Sequence, residues 1–339
     1  MKINNRRYIG CKTKLLDFIY DSVVELGYNS SNTFADIFAG TGVVGYKFAK
    51  EGYKVILNDT LYSNIVAYYA WLGNGKIRKE FLSSEIDKIN GFERLSLGDN
   101  YFSNAYGNKY FSVEDARLIG YIRDYIEDNK QNYTEREYYY LVASLLYCTD
   151  KIANTVGHFE SFLSRQPETK GVKLSLLELD NIQPADIYNM DANALVKQIK
   201  PDIVYIDPPY NARQYVNFYH VLENLARWNK PNDFEGNSMK FKRNSLKSDY
   251  CRSKAPALFE DLVSNLQCKL IVVSYNNTYK AGSISSVNTI SNEQLIATLS
   301  KKGKTTVKSV DYKCFNAGKS ELNGHKELLY ICEVNKWHF

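Results

Sequence analysis

The stretch NTFADIFAGTGVVGYKFAKEGYKVILND, residues 32–59, constrains the fold more than any other part of the chain. An apolar run ends in a glycine-bearing turn, a short amphipathic segment closes at Gly52, and a second apolar run ends in Asp59. Strand, helix and strand in that order form a βαβ unit, whose two strands lie parallel. Upstream, CKTKLLDFIYDSVVEL places Leu15, Leu16, Ile19, Val23 and Leu26 at helical spacing. The alternation resumes at ADIYNMDANAL and PDIVYID and continues through the helix-patterned YVNFYHVLENLARW and the strand-like KLIVVSYNN. ISNEQLIATLSKKG reads as a further helix. TVKSVDYKCF and ELLYICEV, joined by the turn-rich NAGKSELNGHK, read as a closing hairpin.

Between Leu61 and Asp180 the strand signals fade and helical patterns take over. The clearest starts at TEREYYYLVASLLYCTDKIA, where Thr134 and Glu137 have capping-box spacing. The expected organisation is therefore a helical region, 61–180, inserted between two parts of one α/β domain, 1–60 and 181–339. A length of 339 residues accommodates this, and 44% hydrophobic with 24% charged residues is ordinary for a globular chain. The formal charge of +5 is compatible with a polyanionic partner without demanding one. Six scattered cysteines lack CxxC or zinc-type spacing, so reduced thiols, no metal and a cytoplasmic location are expected. No apolar run reaches membrane-spanning length, so no membrane association is expected. Tyrosine is abundant, at 28 residues, suited to half-buried packing and to stacking on exposed bases.

Phe38-Ala39-Gly40-Thr41-Gly42 lies at a strand-to-helix turn, where glycines let a ligand approach the backbone and the helix start offers free N–H groups. Asp59, about twenty residues on, is placed to accept the hydroxyls of a ribose. Taken alone, the turn also fits a plain structural role or a nicotinamide fold. IVYIDPPYNARQY, residues 203–215, separates these readings. Two consecutive prolines stop the strand at Asp207 and leave its carboxylate and the Tyr210 ring projecting beyond the end. A dehydrogenase has no use for that corner. Chemistry on an exocyclic amine does: the Asp207 carboxylate and the Pro208 carbonyl can hold both N–H bonds of an adenine N6 out of the ring plane, freeing the lone pair to attack a methyl group. Pro209 stiffens the corner, and Tyr210 can stack on a base rotated out of its duplex. No Pro-Cys dipeptide supplies the thiol of a C5-cytosine reaction.

At this point the chain resembles the D12-class, Dam-like DNA adenine-N6 methyltransferases of the α group, nearly from end to end. RRYIGCKTKLL is similar to that family's N-terminal cofactor motif, with Tyr8 and Lys12 at its aromatic and lysine positions, although Gly10-Cys11 stands where many members have two glycines. DIFAGTG resembles its FxGxG motif, implying cofactor contact for Asp36, Phe38, Gly40 and Gly42; Asp59 falls at the ribose-binding acid, and Asp191 of NMDA where the family contacts the cofactor's adenine. The resemblance implies S-adenosylmethionine as cofactor and a Rossmann-like class I methyltransferase fold with a seven-stranded, mostly parallel sheet and a C-terminal antiparallel hairpin. It also implies that the helical insert is the target-recognition region and that NAGKSELNGHKELLYIC helps receive the target base. YNARQYVNFYHVLEN is similar to methylases paired with a restriction endonuclease, acting on double-stranded DNA as monomers.

Simpler roles remain open for individual residues. Asp191 has the position of an N-cap for the following helix, and Lys12 that of a solvated helix residue. His220 is expected to pack or hydrogen-bond; His158 lies in a polar-aromatic stretch that can reach DNA. The basic run NSMKFKRNSLKSDYCRSK offers Lys240, Lys242, Arg243, Lys247 and Arg252 for phosphate contact, or a solvated loop. A methyltransferase for RNA adenine or N4-cytosine needs the same corner, a nicotinamide oxidoreductase needs only the glycine turn, and an inactive DNA-binding protein needs neither.

Overall fold

In the computed structural model, residues 1–93, 97–277, 287–311 and 326–335 are described. The chain divides into two compact units, one built on a sheet (Lys12–Thr60, Tyr188–Tyr215, Leu246–Phe339) and one largely helical (Met1–Cys11, Leu61–Ile187, Val216–Ser245). These bounds differ from the partition at 60 and 180, because the first eleven residues and Val216–Ser245 pack with the helices.

The sheet has seven strands: β1 (Thr33–Asp36), β2 (Lys54–Asn58), β3 (Asp186–Tyr188), β4 (Ile203–Ile206), β5 (Leu270–Asn276), β6 (Gly303–Asp311) and β7 (Lys326–Val334). Their order is β3-β2-β1-β4-β5-β7-β6. β1 is parallel to β2 and to β4, and β4 to β5, whereas β7 runs antiparallel to both β5 and β6. The mostly parallel sheet and the closing hairpin are thus as expected; the residues joining β6 to β7, and most of NAGKSELNGHK, lie outside the described residues. β4 is buried throughout, as a strand covered on both faces must be. One face carries Phe34 stacked on Phe48 of α2 (Val43–Lys50), with α1 (Leu16–Val24) beside it. The other presents Ala35, Ile37, Val204, Ile206, Ile271 and Val273 to a core completed by α8 (Ala192–Leu195), α10 (Ala255–Asn265) and α11 (Asn292–Ser300). α10 was not anticipated, although Phe259, Leu262, Val263 and Leu266 of PALFEDLVSNL recur at helical spacing and are buried.

The helical unit contains α3 (Tyr62–Leu72), α4 (Lys79–Asn90), α5 (Tyr101–Tyr106), α6 (Val113–Asp128), α7 (Glu135–Ile152) and nearly all of α9 (Tyr215–Arg227). α7 starts with the expected capping box: Glu137 N–H donates to Thr134 Oγ1 at 3.2 Å and Thr134 N–H to Glu137 Oε2 at 2.9 Å. Two backbone donors that begin α3, on Tyr62 and Ser63, bond the two carboxylate oxygens of Glu223 in α9. Many tyrosines are core residues here, among them Tyr68, Tyr106 and Tyr110. His220 is buried with Nε2 2.9 Å from the Phe159 carbonyl, and burial pushes its pKa down to about 3, with Lys240 and Arg243 adding to the effect. It packs, as anticipated, and stays neutral near pH 7. Among the described residues no helix is long and apolar enough to cross a membrane.

Candidate active site

β1 and β4 are neighbours, with Asp36 level with Tyr205, and from this pair the chain departs toward opposite edges of the sheet. The crevice at the carboxyl ends of such a pair is where open α/β sheets bind ligands. Beyond β1, Gly40 and Gly42 adopt left-handed backbone angles (φ +52° and +78°), which turn the chain into α2 with Gly42 as N-cap. Gly45 lets α2 lie against β2: a Cβ there would meet Leu57 Cδ2 at 2.2 Å. Gly40 N–H donates to Asp59 Oδ2 at 2.9 Å, which ties the acid ending β2 to the glycine turn. Asn58 completes the crevice floor, its amide donating at 3.0 Å to both the Ile37 and Met190 carbonyls.

The diproline does end β4, and Asp207 follows directly. Lys12, only 4% exposed, sets its ammonium 3.1 Å from Asp207 Oδ2 and 4.9 Å from the centre of the Tyr210 ring. The solvated-helix role for Lys12 is thereby excluded. Tyr210 Oη donates to Asp207 Oδ1 at 2.5 Å, and its backbone carbonyl accepts Thr289 N–H at 2.7 Å and Tyr275 Oη–H at 3.1 Å. The ring rests against Tyr275, centroids 4.4 Å apart.

Three acids meet here, Asp36 and Glu327 buried and Asp207 half-buried. Burial raises the pKa of Asp207, while Lys12 and the Tyr210 hydroxyl pull it back. Asp36, 1% exposed at the end of β1, is held well above the carboxylate range by burial and by the charges of Asp207 and Asp59. Its Oδ1 is buried with no partner among the described residues. Glu327, also buried, is raised by burial and by Asp207. It arrives because β7 runs antiparallel: its register with Asn276 brings the start of β7 to the carboxyl end of β5. Glu327 Oε2 and Ser274 Oγ lie 3.5 and 3.4 Å from Tyr210 Oη. Ser274, Tyr275, Thr289 and Glu327 were not singled out in the sequence. The polar end of KLIVVSYNN was the only signal, and the residues of ELLYICEV read as strand.

The other expected site residues are distributed as follows. Phe38 packs edge-on against Tyr250, 5.1 Å between centroids. Asp191 caps α8, its Oδ1 accepting Ala194 N–H at 3.1 Å. Tyr8 belongs to the helical unit, stacked on Tyr219 at 4.5 Å and 5°. The basic run is divided: Lys240, Lys242 and Arg243 lie in the helical unit, Lys247 and Arg252 in the sheet unit. Arg243 corrects the expectation of an exposed cation. It is 8% exposed and donates to Asn217 Oδ1 at 2.7 Å, Glu235 Oε2 at 2.9 Å and the Phe241 carbonyl at 3.1 Å, clamping a two-strand ribbon of Phe234–Glu235 and Lys240–Phe241. Lys242 pairs with Asp233, and Arg252 with Asp249 at 2.8 Å.

Comparison with known proteins returns the family that the sequence resembles. The family model described as D12 class N6 adenine-specific DNA methyltransferase matches residues 8–290. The chain is 38% identical to the modification methylase StsI of Streptococcus sanguinis over 80% of its length, covering 44% of that protein. It is 32% identical to the type II methyltransferase M.NlaIII of Neisseria lactamica, covering 96% of this chain and 98% of the relative. The type II methyltransferase M.FokI of Planomicrobium okeanokoites is 33% identical over 80% of this chain and 44% of the relative. The chain thus spans less than half of two of these relatives and nearly all of the third.

Proposed function

Because the chain belongs to the D12 class of N6 adenine-specific DNA methyltransferases, we propose that it methylates the N6 nitrogen of one adenine within a specific duplex sequence, using S-adenosylmethionine. The observation that carries this reading is the Lys12–Asp207–Tyr210 cluster at the end of β4, beside the glycine turn of β1. Relatives named as modification methylases support a protective role beside a restriction endonuclease. The strand order supports a Rossmann-like class I fold; on this reading the protein acts as a monomer and the helical insert is its target-recognition region.

The crevice fits S-adenosylmethionine by its donor set. A carboxylate ends β2 for a ribose, two left-handed glycines keep side chains away from the turn, and the unpartnered Asp36 Oδ1 awaits a donor. When bound, the cofactor supplies an electrophilic methyl group on a sulfonium. The chain must do the rest. The N6 lone pair of adenine is spread into the ring, which makes the amine a poor nucleophile. Asp207 and the Pro208 carbonyl accept its two N–H bonds and draw the nitrogen toward tetrahedral geometry. Tyr210 offers its ring face to the rotated base, and Lys12 holds the Asp207 carboxylate in register. Asp59, tethered to Gly40, faces the ribose; Phe38 and Asp191 line the same cofactor, as does Tyr8. Lys240, Lys242, Lys247 and Arg252 contact DNA phosphates; Arg243 acts through the ribbon it clamps.

Incubation of the purified protein with labelled S-adenosylmethionine and separate DNA and RNA pools, followed by methylation mapping of DNA from expressing cells, tests this reading. Label in duplex DNA at adenine within one motif is expected. Label confined to RNA, or to cytosine, would replace it.

A further inference from the structure

Glu327 is a buried acid for which the chemistry above has no use. Apolar residues stabilise a core better than a poorly paired carboxylate, so its retention asks for a task. Among the described residues no cation lies within salt-bridge distance of it; its hydrogen-bond partners are the hydroxyls of Ser274 and Tyr210, with the Lys12 ammonium near enough to favour its charged form. The Tyr210 hydroxyl has one proton and two carboxylates within reach, Asp207 Oδ1 at 2.5 Å and Glu327 Oε2 at 3.5 Å. In this arrangement Asp207 is engaged on both oxygens, one by Tyr210 and the other by Lys12. A carboxylate that already accepts so short a bond is a weakened acceptor for an amine, because its charge is shared. The phenol must therefore let go before Asp207 can grip N6.

We infer that Glu327, supported by Ser274, takes over the Tyr210 hydroxyl when the target base enters, releasing Asp207 Oδ1 for the amine. The hydroxyl turns from one acceptor to the next by rotation about its C–O bond and a small shift of the ring. No proton changes owner, and the phenol is never left unpartnered in a buried site. Glu327 is thus a positioning residue, and its influence on catalysis passes entirely through the Tyr210 hydroxyl. The inference rests on the reading of Asp207 as the acceptor for an exocyclic amine.

A double-mutant cycle tests it. The rate of methyl transfer to duplex DNA is measured in single turnover for Glu327→Met, which removes the acceptor, and Glu327→Gln, which keeps one. Both are repeated with Tyr210→Phe. Glu327→Met is expected to slow transfer about tenfold, as for loss of one hydrogen bond to a charged group. Glu327→Gln should recover most of that loss, with S-adenosylhomocysteine affinity unchanged throughout and neither variant melting below the wild type. With Tyr210→Phe there is no hydroxyl to receive, and Glu327→Met should then cost less than about twofold. An equal loss in both backgrounds, or none in either, overturns the hand-over. Failure of the wild-type protein to methylate DNA would instead overturn the functional reading beneath it.

Discussion

Glu137, Glu223 and Asp115 of the helical unit and the acids around the crevice of the sheet unit are treated in opposite ways. In the helical unit, Glu137 is saturated: it accepts Thr134 N–H at 2.9 Å, Arg78 N–H at 2.8 Å and two bonds from the Arg78 guanidinium at 3.0 and 2.6 Å. Burial alone would raise its pKa, but these donors prevail and hold it at about 2. Glu223 takes two backbone donors and Arg227; Asp115 takes Lys170 N–H and Gly171 N–H. In the sheet unit, Asp36, Asp207 and Glu327 are all raised, and one oxygen of Asp36 has no partner. A saturated carboxylate closes helix ends and joins segments. A carboxylate raised by burial, as Asp36 and Glu327 are, costs stability, and such costs concentrate at functional sites.

That contrast can be broken most forcefully at Asp207. Asp207→Ala should reduce single-turnover methylation about 1,000-fold while leaving the melting temperature nearly unchanged, because Lys12 retains Glu327 as a neighbouring acid. Retained turnover would remove Asp207 from the chemistry. Glu137→Ala should show the reverse pattern, losing about 3 kcal/mol of stability by stripping a cap and leaving Arg78 unpaired. Its contribution is complete above the ordinary carboxyl value of 4.5 and disappears as pH falls toward about 2. Denaturant unfolding at pH 7 and pH 3 should therefore show a large gap that narrows in acid; an equal gap at both would contradict the assignment.

Smaller effects sharpen the same division. Tyr210→Ala should weaken binding of duplex DNA carrying the target base by about 2 kcal/mol through lost stacking, seen in equilibrium titration with a fluorescent base analogue. Unchanged affinity would mean that the ring only packs against Tyr275. Asp36→Asn should stabilise the protein by about 1 kcal/mol at neutral pH. The folded state holds this proton more tightly than the unfolded chain does, so the native carboxyl loses stability as pH rises from its ordinary value of 3.8 through its higher folded value. The advantage of the substitution should accordingly grow with pH in melting curves taken from pH 4 to pH 8, and a larger gain at pH 4 would reverse the argument.

What was legible in the sequence follows from how local the signal is. Asp207 could be found because two prolines mark a strand end whatever surrounds them, and Thr134 because a cap and its reciprocal acid are three residues apart. Glu327 could not: its closeness to Tyr210 depends on β7 entering the sheet antiparallel, a register between segments 117 residues apart. Arg243 misled for a related reason: it looks like a solvated cation until its long side chain folds back into the ribbon. α10 was hidden by the charged run just before it.

The helical unit draws on three separate stretches of chain: 1–11, 61–187 and 216–245. It is woven into the polypeptide at five crossing points, so no single excision yields it whole. On the proposed reading of this unit as the target-recognition region, transplanting sequence preference from a relative requires exchanging three pieces together. A chimera that replaces 61–187 alone would pair a foreign Asn64 and Asp150 with the resident Arg6 and Arg7 and a foreign start of α3 with the resident Glu223, and is expected to misfold before it misreads.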